Sequence, residues 1–214
     1  SSDSISFDGG ARFSVDSERI SGEVTFTPWL ALADYTGDAA PKEFGLDREK
    51  PLMHYQRAAT VTGRLVVGDD AVDLHGKGFR DRTWGYRDES TTVGEYFGWM
   101  WTLPGTAVTA MKLLGEDGSQ STLGFVLGDD AVAVTDVTLT RDASGLFAAS
   151  RLTVAGDRTL EVRATERRAG FWCPMGWERT GPTLSAFDEF CALRTSDGQE
   201  GFGLVEQGVL RRLY

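Results

Sequence analysis

Cysteine, histidine and proline are scarce in this sequence. Its 214 residues include two cysteines, Cys173 and Cys191, two histidines, His54 and His75, and six prolines. Two cysteines are too few for a disulfide framework, so we expect free thiols in a reducing compartment and a cytoplasmic protein. Zinc sites need clustered cysteine or histidine ligands, and the chain has no CxxC or HxxxH spacing. We therefore predict no metal site and no other cofactor.

Basic charge and long hydrophobic runs are lacking as well. The chain has 22 lysines and arginines against 32 aspartates and glutamates, a formal net charge of −10. This balance argues against binding nucleic acid through a basic surface. No run approaches the length of a transmembrane helix, and residues 1–6 lack the basic and apolar regions of a signal peptide, so we expect no membrane insertion. The absence of a nucleophile elbow, a Walker loop and a helix-opening GxGxxG disfavours hydrolases and nucleotide-binding proteins.

Short segments of alternating polarity, separated by glycine and aspartate turns, make up most of the chain. Residues 59–67 and 72–78 form the clearest hairpin, with Gly68-Asp69-Asp70-Ala71 between them. Alternation stops between Pro28 and Pro51, which indicates a lid or a binding loop. The pattern predicts an all-β fold, an antiparallel β-barrel or a strongly curved β-sandwich of roughly ten strands, in one domain over residues 1–214.

The segment Gly78–Asp88 carries the densest chemistry, because it places five charged side chains and three aromatics after a strand pattern. Asp81 lies between Arg80 and Arg82. Guanidinium partners would keep this carboxylate ionised in a structural network. Burial against aromatics such as Trp84 would instead favour a protonated carboxyl that can act as a general acid. Both interpretations stay open at this stage.

Strand parity bears on the direction of Asp81. Counted from Val72, the apolar face continues to Arg80 and Arg82, whereas Asp81 shares its face with His75. A bulge at Gly76 or Gly78 would exchange the two faces. Alternation alone therefore does not place Asp81 in an interior.

Other side chains could complete a site around Asp81. His54 and Tyr55, at the entry of the preceding strand, could orient its carboxyl group or a substrate oxygen. Trp99 and Trp101 could line an apolar cavity, although core packing is the more common role of tryptophan. Glu206, in a glycine-rich strand, could pair with an arginine or act as a second acid or base.

These residues match a known pattern. His54-Tyr55, Gly76-Lys77-Gly78 and the segment containing Asp81, Trp84 and Arg87 together resemble the H-Y…G-x-G-x-x-D-x-x-W-G-x-R pattern of the lipocalin-like carotenoid 1,2-hydratase superfamily. That superfamily also includes fungal Diels-Alderases, tocopherol cyclase-like proteins and many bacterial proteins. Its members often carry two lipocalin-like halves, so this chain could be one half of such an architecture.

The resemblance implies that Asp81 protonates an isoprenoid double bond inside a barrel, with Trp84 as the matching tryptophan. We expect a cofactor-independent hydratase (a lyase), isomerase or cyclase that acts on a hydrophobic terpenoid, steroid or polyketide-like molecule. The alternative is a non-catalytic carrier or sensor of an apolar ligand. In either case the protein could form a homodimer. The predicted catalytic residues are Asp81, His54 and Tyr55, and the predicted substrate-binding residues are Trp84, Trp99, Trp101, Tyr86, Arg80 and Glu206.

Overall fold

The described residues form thirteen antiparallel strands. The computed structural model describes residues 4–8, 11–36, 53–85, 93–115, 117–174 and 182–212, and this part of the chain contains no helix. The strands are β1 (Ser4–Asp8), β2 (Arg12–Asp16), β3 (Ile20–Asp34), β4 (Met53–Val67), β5 (Asp70–Trp84), β6 (Val93–Leu103), β7 (Thr106–Gly115), β8 (Gln120–Leu127), β9 (Ala131–Arg141), β10 (Phe147–Val154), β11 (Arg158–Pro174), β12 (Pro182–Thr195) and β13 (Glu200–Arg212). The described residues include no helix suited to crossing a bilayer. The all-β prediction is confirmed.

The strand count and some boundaries differ from the sequence prediction. The short hairpin of β1 and β2 adds two strands near the N-terminus. β3 extends to Asp34, so the predicted loop begins later than Pro28. A register shift between Pro28 and Leu32 lets β3 continue past the proline, which cannot donate to the ladder. The rest of that loop, residues 37–52, lies outside the described residues.

Strands β6 to β13 close into an eight-stranded barrel in the order β10-β11-β12-β13-β6-β7-β8-β9. Alternate residues of each strand point inward and fill it with apolar side chains. Trp99 and Trp101 on β6, both at most 1% exposed, are the largest of these, and they pack with residues such as Phe147 and Leu152 on β10. The barrel interior is therefore a packed core.

Strands β1 to β5 form a separate sheet in sequential order that packs against the outside of the barrel. A second apolar core lies between the two. Its buried members are Ala33, Tyr35, Ala58, Ala107, Met111 and Leu127, drawn from β3, β4, β7 and β8 and the residue after β3. The side of the sheet that includes Ala58 thus faces the barrel.

The hairpin of β4 and β5 sets the face on which each site residue lies. Its register runs without interruption from Met53 opposite Trp84 to Val67 opposite Asp70. Gly68 begins the two-residue turn with φ of 61°, a left-handed value that glycine adopts without strain. The ladder has no bulge at Gly76 or Gly78, so the faces are not exchanged.

Candidate functional site

Asp81 lies at the centre of a polar cluster between the sheet and the barrel. It stands opposite Gln56 on β4, and its Oδ2 accepts hydrogen bonds from Gln56 Nε2 at 2.5 Å and lies 3.2 Å from His54 Nε2. Thr83 donates to Oδ1 at 3.2 Å. His54 and Gln56 are buried, whereas 40% of the Asp81 side chain is exposed. The carboxylate is therefore held from the protein side and open on the other.

A chain of hydrogen bonds connects this polar cluster to the second core. The Thr109 hydroxyl on β7 donates to Gln56 Oε1. The Tyr35 hydroxyl lies 2.8 Å from Thr109 Oγ1, and the Tyr35 ring stacks on His54 with centroids 5.0 Å apart. Both side chains at the inner end, Tyr35 and Thr109, are fully buried. The network fixes the orientation of the Gln56 amide and of the His54 ring.

The environment sets the protonation of this cluster. Desolvation is the largest single influence on Asp81 and raises its pKa, but the hydrogen bonds from His54, Gln56 and Thr83 and the charge of His54 together outweigh it. The net result is an Asp81 pKa below the ordinary value. Burial raises the pKa of Tyr35 far above its ordinary value, so its hydroxyl stays neutral. At rest, therefore, Asp81 is an ionised acceptor.

Asp81 also lines a cavity in which three phenylalanines alternate with charged side chains, Arg12 among them. The cavity measures about 490 Å³, and its walls include Phe7, Phe26 and Phe79. Arg80 and Arg82 line it too, but within the described residues no arginine lies within ion-pair distance of Asp81. The salt-bridge network considered for this carboxylate is thus not formed there; a histidine, an amide and a hydroxyl hold it instead.

The residues adjacent in sequence to His54, Gln56 and Asp81 lie on the opposite face of the β4–β5 ladder. Tyr55, Arg80, Arg82 and Trp84 alternate with the residues of the polar cluster and line a groove on the opposite face of the β4–β5 ladder. The structure brings Tyr55 to Trp84, with ring centroids 5.3 Å apart, and not to Asp81. Tyr55 therefore does not make the predicted orienting contact with Asp81, because adjacent residues of a strand face opposite sides.

The remaining predicted residues are more distant or lie outside the description. Trp99 and Trp101 belong to the barrel core and not to the core that Asp81 borders. Glu206 on β13 accepts a hydrogen bond at 3.0 Å from Tyr96, which packs against the second core. Tyr86 falls outside the described residues. The roles assigned to these four side chains stay predictions.

Sequence reasoning missed part of the cluster. Gln56 and Thr83 each lie two residues along a strand from a predicted site residue, so the period-two alternation of β4 and β5 could have identified both. Thr109 carries no such signal, because only the packing of the sheet on the barrel brings it to Gln56. Tyr35 reaches His54 through the pairing of β3 with β4, since its amide donates to the His54 carbonyl at 2.9 Å. Among the described residues, no group of three histidine, cysteine, aspartate or glutamate side chains is placed to hold a metal ion.

Comparisons with known proteins agree with this architecture. Residues 4–209 match the model of a family described as "Domain of unknown function (DUF7064)". No curated protein sequence matches the chain. Among solved structures, kievitone hydratase from Nectria haematococca has a TM-score of 0.63 at 14% identity, and a putative AttH from Nitrosomonas europaea has 0.65 at 16%. Each comparison covers 94% of this chain and 65% of the other, so this chain spans just under two thirds of their length. At these identities the likeness shows a shared fold alone.

Proposed function

Since this chain belongs to the DUF7064 family and shares its fold with a hydratase, we propose that it is a hydratase-type enzyme that uses acid/base chemistry without a cofactor. The substrate class is a hydrophobic olefin of isoprenoid, steroid or polyketide-like character. Isomerisation or cyclisation of such a molecule would begin with the same proton transfer to carbon. A cytoplasmic location stays a prediction from composition.

The position of Asp81 is the observation that carries this proposal. Its carboxylate is bound by His54, Gln56 and Thr83 on the protein side, while 40% of its side chain is exposed beside a cavity lined by three phenylalanines and three arginines. A carboxyl group clamped by arginine would be locked in its ionised form, and within the described residues no such clamp exists. This arrangement suits a group that must gain and lose a proton next to an apolar ligand.

Substrate binding would supply the change in protonation. An apolar ligand that covers the exposed part of Asp81 removes water from the carboxylate, and desolvation raises the pKa. His54, 3.2 Å away, can deliver a proton to Asp81 in response. The resting carboxylate thereby becomes a general acid only when a ligand is present.

The reaction then balances with water as the only co-reactant. Asp81 transfers its proton to one olefinic carbon, and the oxygen of a water molecule forms a bond to the other carbon. The second proton of that water returns to the Asp81–His54 pair, which is regenerated. The net change is the addition of one water across a double bond, and Gln56 keeps the carboxylate oriented throughout.

Deuterium transfer to carbon tests this function. Wild type, Asp81→Asn and Asp73→Asn are incubated in heavy water with a pool of isoprenoid and sterol-like olefins, and carbon-bound deuterium is measured by mass spectrometry. Asp73 is the matched control because it lies on the same strand and face, exposed and paired with Arg64. We expect uptake by wild type and Asp73→Asn, and a rate about 10²- to 10⁴-fold lower for Asp81→Asn. Equal uptake by both variants would remove Asp81 from the mechanism.

The second candidate function is a non-catalytic carrier of an apolar ligand. The lowered pKa of the resting Asp81 favours it, because an ionised carboxylate donates no proton. If one of the olefins is retained equally by wild type and Asp81→Asn and gains no deuterium from either, the carrier function replaces the enzymatic one.

A further inference from the structure

A second groove lies on the face of the β4–β5 ladder opposite to His54 and Gln56. It encloses about 270 Å³. Its polar and aromatic lining consists of Tyr55, Arg57, Arg80, Arg82 and Trp84, and its apolar lining consists of Phe26, Pro28, Leu32 and Ala59. In the ladder Tyr55 stands opposite Arg82 and Arg57 opposite Arg80. The register thus places three guanidinium groups beside two aromatic rings.

The three arginines have no carboxylate partner in the described part of the chain. Several other arginines do form ion pairs there, namely Arg12, Arg64, Arg141, Arg151, Arg167, Arg168 and Arg194. The acid nearest in the ladder is Asp34, opposite Tyr55, and its Oδ1 accepts hydrogen bonds from the backbone and hydroxyl of Thr36. In a chain of net charge −10, three arginines on one groove that have no carboxylate partner among the described residues mark a site for an external anion.

The aromatic side chains give the groove a flat apolar surface. Arg82 lies over the Trp84 ring at 4.7 Å from its centroid, and this contact fixes the guanidinium plane. Trp84 is 43% exposed, which is high for so large an apolar residue, and Tyr55 packs against it. Phe26 and Leu32 continue the apolar surface along β3.

We propose that this groove binds an amphipathic anion, a flat apolar ring system that carries a carboxylate or a similar oxyanion. The planar forks of Arg57, Arg80 and Arg82 match the geometry of an oxyanion, while Tyr55 and Trp84 stack against the ring. The volume suits a molecule of one or two rings. The site does not depend on the chemistry proposed for Asp81.

The test measures binding directly, by isothermal titration calorimetry with three probes. These are 2-naphthoate, its uncharged analogue 2-naphthalenemethanol, and inorganic phosphate. We expect 2-naphthoate to bind more tightly than either of the others, since only it offers both a ring and an oxyanion. Its affinity should fall as salt is added, because salt screens the attraction between the charges. Equal affinity for the charged and uncharged ring compounds would overturn the proposal.

Variants locate the binding. In Arg80→Gln/Arg82→Gln we expect the Kd for 2-naphthoate to rise about tenfold to a hundredfold, with little change for 2-naphthalenemethanol. Arg80→Lys/Arg82→Lys keeps the charge without the fork, so its loss should be smaller. Arg64→Gln is the control, because Arg64 is exposed on β4 and pairs with Asp73 outside the groove. An equal loss in Arg64→Gln would show a non-specific charge effect and refute the site.

Two further variants, Arg57→Gln and Asp81→Asn, test the groove independently of the double variant. If the double variant does not fold, Arg57→Gln alone, at an exposed position, is expected to weaken 2-naphthoate binding severalfold. Unchanged binding in a folded Arg57→Gln would then count against the proposal. Asp81→Asn should retain binding in this groove, so absence of deuterium transfer would end the enzymatic proposal and leave this one standing.

Discussion

Replacing Glu189 should destabilise the barrel far more than replacing a surface glutamate. Glu189 on β12 is 1% exposed. It accepts hydrogen bonds from the Phe147 amide at 2.9 Å, Arg167 Nε at 2.8 Å and Gln207 Nε2 at 2.7 Å. Arg167 also contacts Asp142 at 2.6 Å. One buried carboxylate therefore satisfies donors from three strands that are distant in sequence.

The magnitude follows from the groups left behind. Glu189→Ala leaves two buried donors without an acceptor, the Phe147 amide and the Gln207 side chain. Each unsatisfied donor lowers the free energy of unfolding by about 1–3 kcal/mol. Arg167 contributes less than a fully buried partner, because it is 38% exposed and keeps Asp142. We expect a loss of about 3–5 kcal/mol in the free energy of unfolding, close to the cost of breaking a buried ion pair.

Equilibrium urea unfolding, followed by tryptophan fluorescence, measures this loss. Trp99 and Trp101 in the barrel core report on the same unit. Glu161→Ala is the control, because Glu161 is an exposed glutamate on β11 whose pair with Arg151 should contribute under about 1 kcal/mol. At this chain length the expected loss corresponds to a drop in Tm of about 10 °C. If both variants lose the same small amount, the reasoning about the Glu189 network is refuted.

Three shorter predictions concern other groups. Because the folded Asp81 has a lowered pKa, its ionisation stabilises the protein above the ordinary value of 3.8, and this contribution is lost as the pH falls towards the folded pKa; acid titration of Asp81→Asn should lack this component. Burial raises the pKa of the Cys191 thiol to about 11, whereas Cys173 is exposed, so a thiol reagent should label Cys173 rapidly and Cys191 only on unfolding. Gly203→Ala should cost several kcal/mol, because its Cβ would lie 2.3 Å from a backbone oxygen, whereas Gly76→Ala meets nothing within 4 Å and should be nearly neutral in thermal melts.

Local patterns accounted for the sheet hairpin and for the facing of its residues. The alternation and the Gly68 turn define β4 and β5, and the uninterrupted register makes the parity argument for Asp81 correct. The motif that includes His54 and Asp81 also places these two residues in contact, since they lie near opposite positions of one hairpin. Contacts within a hairpin depend on local register, which the sequence encodes directly.

Other parts of the site depended on contacts between distant segments. The sequence suggested one cavity shared by Asp81, Trp99 and Trp101, but β6 points both tryptophans into the barrel while Asp81 lies on the separate sheet. The division into a sheet and a barrel follows from the closure of β6 to β13, which includes the pairing of β13 with β6. Alternation shows that a strand has two faces but not which neighbour covers each face.

The sequence by itself thus determined the fold class and the inner part of the β4–β5 hairpin, because these follow from periodicity and turn chemistry. The structure extends both strands to the site residues and shows no bulge that exchanges the faces. Only the tertiary structure decided which side meets the barrel, and hence that Thr109 and Tyr35 join the cluster around Asp81. It also decided that Arg57, Arg80 and Arg82 share a groove without a carboxylate within the described residues. The contact between Thr109 and Gln56 arises from packing between strands more than fifty residues apart, which no local pattern records.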